Sequence, residues 1–116
     1  MKYSIFATIF TYEIDNMIKH VVLFKLKDFE SAEAKADKLN EIKTALEGLL
    51  GKISELKTII VGINCNENES FDFALETTFE SMEAMDVYAK HPLHVAIVTD
   101  IIKPVAESRA CVDYQL

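Results

Sequence analysis

A chain of 116 residues, half of them hydrophobic and 27% charged, is sized and composed for one globular domain. That excludes a disordered chain, a collagen-like repeat and a disulfide-dense miniature scaffold. Nineteen acidic against twelve basic side chains give a formal charge of -7, so the molecule's field repels phosphate backbones and anionic lipid, and neither nucleic acid nor membrane is an expected partner.

Residues 1–16 stand apart. Lys2 precedes a short apolar run, but Ser4, Thr8 and Thr11 interrupt it. The run leads into Glu13 and Asp15 with no small-x-small cleavage site, so it resembles a signal peptide poorly and is too short to span a bilayer. Its β-branched and aromatic residues favour a strand. Met17 opens a self-contained pattern, and 1–16 reads as an extension upstream of the true start. The alternative is a strand added to a sheet edge or to a partner subunit. The domain itself is assigned to 17–116.

Over Ile18–Lys27, strict alternation predicts a strand with Ile18, His20, Val22, Phe24 and Leu26 on one face. From Ser31 to Leu50, the spacing of Leu39, Ile42, Leu46 and Leu49 predicts an amphipathic helix, with Gly51 as its stop. Two strands, Leu56–Asn64 and Phe71–Phe79, form a hairpin around the polar stretch Cys65–Ser70. Ser81 is an N-cap for a helix carrying Met82, Met85, Tyr88 and Ala89, broken at His91-Pro92. Pro92 opens a second short helix up to Pro104, and Arg109–Leu116 is a last strand.

Strand, helix, strand, strand, helix, strand is the split βαβ order of an α+β, ferredoxin-like domain: an antiparallel sheet with helices on one face. The other face is bare. Apolar positions there would leave a large exposed patch, which pairing with a second sheet removes, so a homodimer is expected.

Three pieces together carry a family resemblance: MIKHVVLFKLK (Met17–Lys27), TTFESMEAMDVYAKHPLHVAIV (Thr77–Val98) and RACVDY (Arg109–Tyr114). The most specific is the YxxHPxH element of Tyr88, His91, Pro92 and His94. The chain resembles the stress-responsive α/β-barrel (Dabb) family of the dimeric α/β barrel superfamily. That resemblance implies a homodimeric barrel, with a small-molecule cavity between sheet and helices in some members. Function in the family is diverse, ranging from stress-associated proteins without known chemistry to a cyclase that closes a linear polyketide by aldol condensation without a cofactor. Against the cyclase pattern, His94 matches the general base, Tyr88 the donor to the developing oxyanion, and His20 a residue that orients or relays. The apolar lining residues do not follow that pattern.

Plainer readings stand beside these. His20 on an apolar strand face suits a satisfied core histidine, Tyr88 suits helix packing, and His91 before a proline suits a cap. No carboxylate stands in ligand spacing with His91 and His94, so no metal is expected. Cys65 and Cys111 match no ligand or redox spacing and are read as free thiols near strand ends in a reducing cytoplasm. Asp113 is expected to pair with Arg109 or a first-strand lysine, and Glu67, Glu69 and Asp72 to form a solvated loop. No phosphate-cradling loop or redox-cofactor fingerprint exists, and no cofactor is expected. The expected function is binding of a small apolar or carbonyl-containing molecule, with cofactor-independent acid/base chemistry of cyclase or lyase type. The alternatives are a non-catalytic oligomeric stress or ligand-binding protein and, by analogy with related barrels, a cofactor-free monooxygenase.

Overall fold

A computed structural model describes residues 16–116 of the protein; of the extension expected over 1–16, residues 1–15 lie outside them. Four strands form one antiparallel sheet in the order β2-β3-β1-β4. They are β1 (Ile18–Leu26), β2 (Thr58–Ile63), β3 (Phe73–Phe79) and β4 (Ala106–Gln115). Three α-helices, α1 (Ala32–Glu47), α2 (Met82–Lys90) and α3 (Pro92–Ile97), and a π-helical turn at Val98–Ile102 complete the described fold. This is the ferredoxin-like α+β plan.

Local chemistry accounts for the boundaries. Ser31 Oγ accepts the Ala34 N–H at 3.0 Å and Ser81 Oγ the Ala84 N–H at 3.1 Å, each satisfying a first-turn donor that the helix cannot. The first helix ends at Glu47, earlier than the Gly51 stop, with Gly48 as its C-cap. Gly51 instead serves the following turn, at a φ of 86° that only glycine adopts without strain. The β2–β3 hairpin is shorter than its apolar pattern because Asn side chains divert the backbone. Asn64 Oδ1 accepts from Asn66 N at 2.8 Å, and Asn66 Oδ1 from Asn68 N at 3.0 Å. The last strand begins at Ala106 instead of Arg109, since a register shift between Lys25 and Leu26 lets Leu26 pair with Ala106.

Parity along β1 divides the molecule. Val22 and Leu26 enter a core shared with Ile42 and Leu46 of α1, Val61, Leu75, Phe79 and Tyr88. Residues of the other parity, Val21 and Leu23, share the uncovered face with Ile60, Ala110 and Val112. Ile60 and Val112 are more than half exposed there, at 54% and 56%.

Asp72 corrects the reading of a solvated acidic loop. Its carboxylate accepts the Leu26 N–H at 2.7 Å and pairs with Lys35 Nζ at 2.6 Å, and its side chain is only 11% exposed. The loop is thereby tied to both β1 and α1. Glu47 ties α1 to β2 in the same way: it accepts from Val61 N at 3.0 Å and from Lys43 at 2.8 Å, and these contacts hold its carboxyl below the ordinary pKa.

The division between core and rim is measurable by urea unfolding. Ile42, fully buried, should lose about 2–5 kcal/mol on Ile42→Ala. Leu50→Ala, at a side chain 51% exposed, should stay within about 0.5 kcal/mol of the parent.

Candidate functional site

A cavity of about 740 Å³ lies between the helix-bearing face of β1 and β4 and the α2–α3 segment, within the size range of small-molecule sites. Its wall is apolar at Val22, Phe24, Leu75, Met85 and Ile102, and polar at His20, Tyr88, His94, Arg109, Cys111 and Asp113. All three site residues expected from the sequence therefore line one cavity.

Tyr88 comes from the last turn of α2 and is 2% exposed. Its ring packs against Phe79, centroids 5.1 Å apart. Among the described residues, its hydroxyl has no hydrogen-bond partner. Burial pushes the phenol well above its ordinary pKa, so it remains an O–H donor throughout the neutral range.

The break that follows brings His94 back onto Tyr88. His91 is extended (φ -63°, ψ 134°), and its Nδ1 accepts the Leu93 N–H at 3.1 Å, capping α3 as expected, while Pro92 at the helix start has no N–H to satisfy. At the third residue of α3, the His94 ring packs against Tyr88 at a tilt of 44°, with centroids 4.4 Å apart. Its Nδ1 lies 3.0 Å from the carbonyl oxygen of Ala89, near the C-terminus of α2. A carbonyl only accepts, so Nδ1 carries the proton and the neutral ring's lone pair sits on Nε2. Burial is the main force lowering the His94 pKa; the Ala89 hydrogen bond opposes it, and the charges of His20 and His91 lower it further.

His20 sits directly opposite Asp113 in the β1–β4 ladder, and its Nδ1 hydrogen-bonds the Asp113 carboxylate. This corrects the expected pairing of Asp113. First-strand lysines have the opposite parity and pair elsewhere, Lys19 with Glu76 and Lys25 with Glu107. Arg109, on Asp113's own face, stands four residues away, about 13 Å along an extended strand. Cys111 is also corrected: it lies within β4, opposite Val22, and lines the cavity. Its Sγ is 3.5 Å from His20 Nδ1 and 3.8 Å from Asp113 Oδ1. Burial first, and then the Asp113 charge, push the thiol upward in pKa, with Arg109 opposing.

Sequence reasoning assigned no site role to Cys111 or Asp113. The signal was present in strand parity, since positions 111 and 113 share a face once β4 is laid beside β1. Thr77, which pairs with His20 from the other side, was also missed. It is fully buried, and its hydroxyl has no partner among the described residues.

This fold and cavity define a small-molecule-sized site on a ferredoxin-like barrel half. Residues 18–116 match the model of the Stress responsive A/B Barrel Domain, Dabb, and the chain belongs to that family. It is 32% identical over 90 residues to a stress-response A/B barrel domain-containing protein of Arabidopsis thaliana, covering 75% of this chain and 79% of that one. To olivetolic acid cyclase of Cannabis sativa it is 31% identical over 100 residues, covering 84% and 94%. A protein of unknown function and ferredoxin-like fold from Bacteroides fragilis, described as dimeric, superposes with a TM-score of 0.82 at 43% identity, covering 89% of this chain and 99% of that one. Against a second, longer stress-response A/B barrel domain-containing protein of Arabidopsis thaliana, at 29% identity, the chain spans only 36% of the relative's length.

The lowered pKa of His94 gives a signed prediction. As pH falls, the unfolded chain takes up its proton first, near 6.5, so the folded state loses stability from that pH downward until the folded pKa is passed. Ring-proton NMR should place the His94 midpoint below 6.5, and His94→Gln should flatten that part of the pH–stability curve. A midpoint at or above the ordinary value would contradict the burial argument.

Proposed function

We propose that the cavity binds a small, mainly apolar carbonyl compound and promotes cofactor-independent proton transfer at the carbon beside its carbonyl. One observation carries this reading: a buried phenol O–H, unpartnered among the described residues, packed at a tilt against an imidazole whose burial keeps it neutral with Nε2 as its basic atom. A buried hydroxyl without a partner costs about 1–3 kcal/mol. An oxyanion forming beside Tyr88 recovers that cost at the moment charge develops, which favours the transition state over the ground state.

The steps balance without a co-reactant. His94 Nε2 takes the α-proton, the C–H electron pair moves into the carbonyl to give an enolate, and Tyr88 donates a hydrogen bond to its oxygen. Where the same molecule carries a second carbonyl in reach, the enolate carbon attacks it, a C–C bond closes the ring, and the new alkoxide recovers the proton from His94. His20, held by Asp113, presents a further polar contact at the cavity wall. The likeness to olivetolic acid cyclase supports this reading.

The working unit in this proposal is a homodimer. Apolar Ile60 and Val112 stand exposed on the uncovered sheet face, and related solved structures are described as dimeric. Sedimentation should find a dimer for the parent, and a monomer for Ile60→Lys/Val112→Lys with its far-UV circular dichroism retained. A dimer that survives both charges would place the interface elsewhere.

A methyl ketone with an apolar tail, 2-nonanone in D₂O, reads the chemistry through deuterium uptake at the α-carbons by ¹H NMR. The protein should exceed an equal concentration of imidazole, His94→Gln should abolish the excess, and Tyr88→Phe should lower it by about 10²–10³-fold. The rate should rise with pH as His94 loses its proton, with its midpoint below 6.5, and then level off. Saturable binding of 2-nonanone with no excess exchange would favour a non-catalytic ligand-binding protein.

A further inference from the structure

We propose that His20 Nδ1, Cys111 Sγ and Asp113 Oδ1 form a binding site for one zinc-type divalent cation, with three protein ligands and a fourth position open to the cavity. The three donor atoms lie within 4.8 Å of one another. Zinc–sulfur and zinc–nitrogen bonds at tetrahedral angles set S and N about 3.6 Å apart; Cys111 Sγ stands 3.5 Å from His20 Nδ1 and 3.8 Å from Asp113 Oδ1. His20 and Asp113 share a proton in the hydrogen bond between them. A metal ion takes that proton's place, with His20 shifting its own N–H to Nε2 and either side chain rotating to open the pair.

The donor set selects the ion. Thiolate with imidazole suits zinc over magnesium or calcium, which demand more oxygen ligands. One thiolate and one carboxylate neutralise a divalent charge, and the protein's net charge of -7 favours a cation. The scaffold is rigid as well: Cys111 and Asp113 are alternate residues of β4, and His20 is the direct ladder partner of Asp113. Arg109, two residues from Cys111 on the same face of β4, brings a positive charge that favours the ionised sulfur and stays outside the ligand set.

A second observation points to a ligand in the cavity beside the cluster. All three residues line the same cavity as Tyr88, which is 2% exposed and whose hydroxyl lacks a partner among the described residues. Three protein ligands plus one position facing a pocket is the arrangement of zinc sites that act on small molecules, as opposed to closed four-ligand structural sites. The site shares the cavity and Tyr88 with the proton-transfer reading but takes part in none of its steps, and its test reads metal binding without turnover, so either can fail alone.

Cobalt(II), titrated into the purified full chain after chelator treatment, tests the site by absorption. One Co²⁺ per chain should bind, with a thiolate-to-metal charge-transfer band and visible bands of tetrahedral intensity, and Zn²⁺ should bleach both. Cys65→Ser should keep the spectrum and Cys111→Ser should lose the charge-transfer band. His20→Gln and Asp113→Asn should each weaken binding by about ten-fold or more. Absence of saturable binding, a band that survives Cys111→Ser, or parental affinity in both other variants would overturn the site. Should a variant fail to fold, X-ray absorption of the unaltered protein with one Zn²⁺ decides: one sulfur with nitrogen and oxygen neighbours supports it, and no sulfur or two sulfurs contradicts it.

Discussion

The register of β1 between β3 and β4 is the constraint from which the rest of this molecule follows. Strand side chains alternate, so slipping β1 by one residue would exchange its two faces entirely. In the observed register Val22 and Leu26 enter the core, Val21 and Leu23 face away from the helices, and His20 falls between Thr77 on β3 and Asp113 on β4. Core, uncovered face and polar cavity wall are thus three consequences of one alignment.

A second, local device completes the cavity. Pro92 ends α2 by having no N–H to continue its ladder, and the chain restarts as α3 with His91 as its cap. The short reversal folds His94 onto Tyr88, where the Ala89 carbonyl accepts a hydrogen bond from Nδ1–H. Burial then acts on both rings in the direction of neutrality, raising the pKa of the phenol and lowering that of the imidazole. The pair is an uncharged donor beside an uncharged base, a combination suited to an apolar cavity where an ion pair would be costly.

Period-two and helical spacings made the element order and most of the core legible, because burial on one face leaves its mark in the order of residues. Tyr88, His91, Pro92 and His94 were legible as a motif, but their convergence depended on the angle at His91-Pro92, which no spacing encodes. Asp72 looked like loop charge because its partners, Leu26 N and Lys35, are distant in the chain. Asp113 and Cys111 were opaque for a related reason: their meaning depends on which strand lies beside β4, a tertiary fact, and on parity relative to His20. Helix ends were misplaced where a side chain or a glycine turn competed with the backbone, as at Gly48 and Gly51.

The account rests on the Tyr88–His94 cavity being the place where a small carbonyl compound is held. Methionine methyl NMR reads this directly, since Met85 lines the cavity whereas Met82 is 49% exposed and is not among the cavity-lining residues. On titration with 2-nonanone, the Met85 methyl and the His94 ring signals should shift together and saturate with one ligand per chain, leaving Met82 unmoved. Shifts at Met82 without Met85, or none at His94 under saturating ligand, would contradict the account.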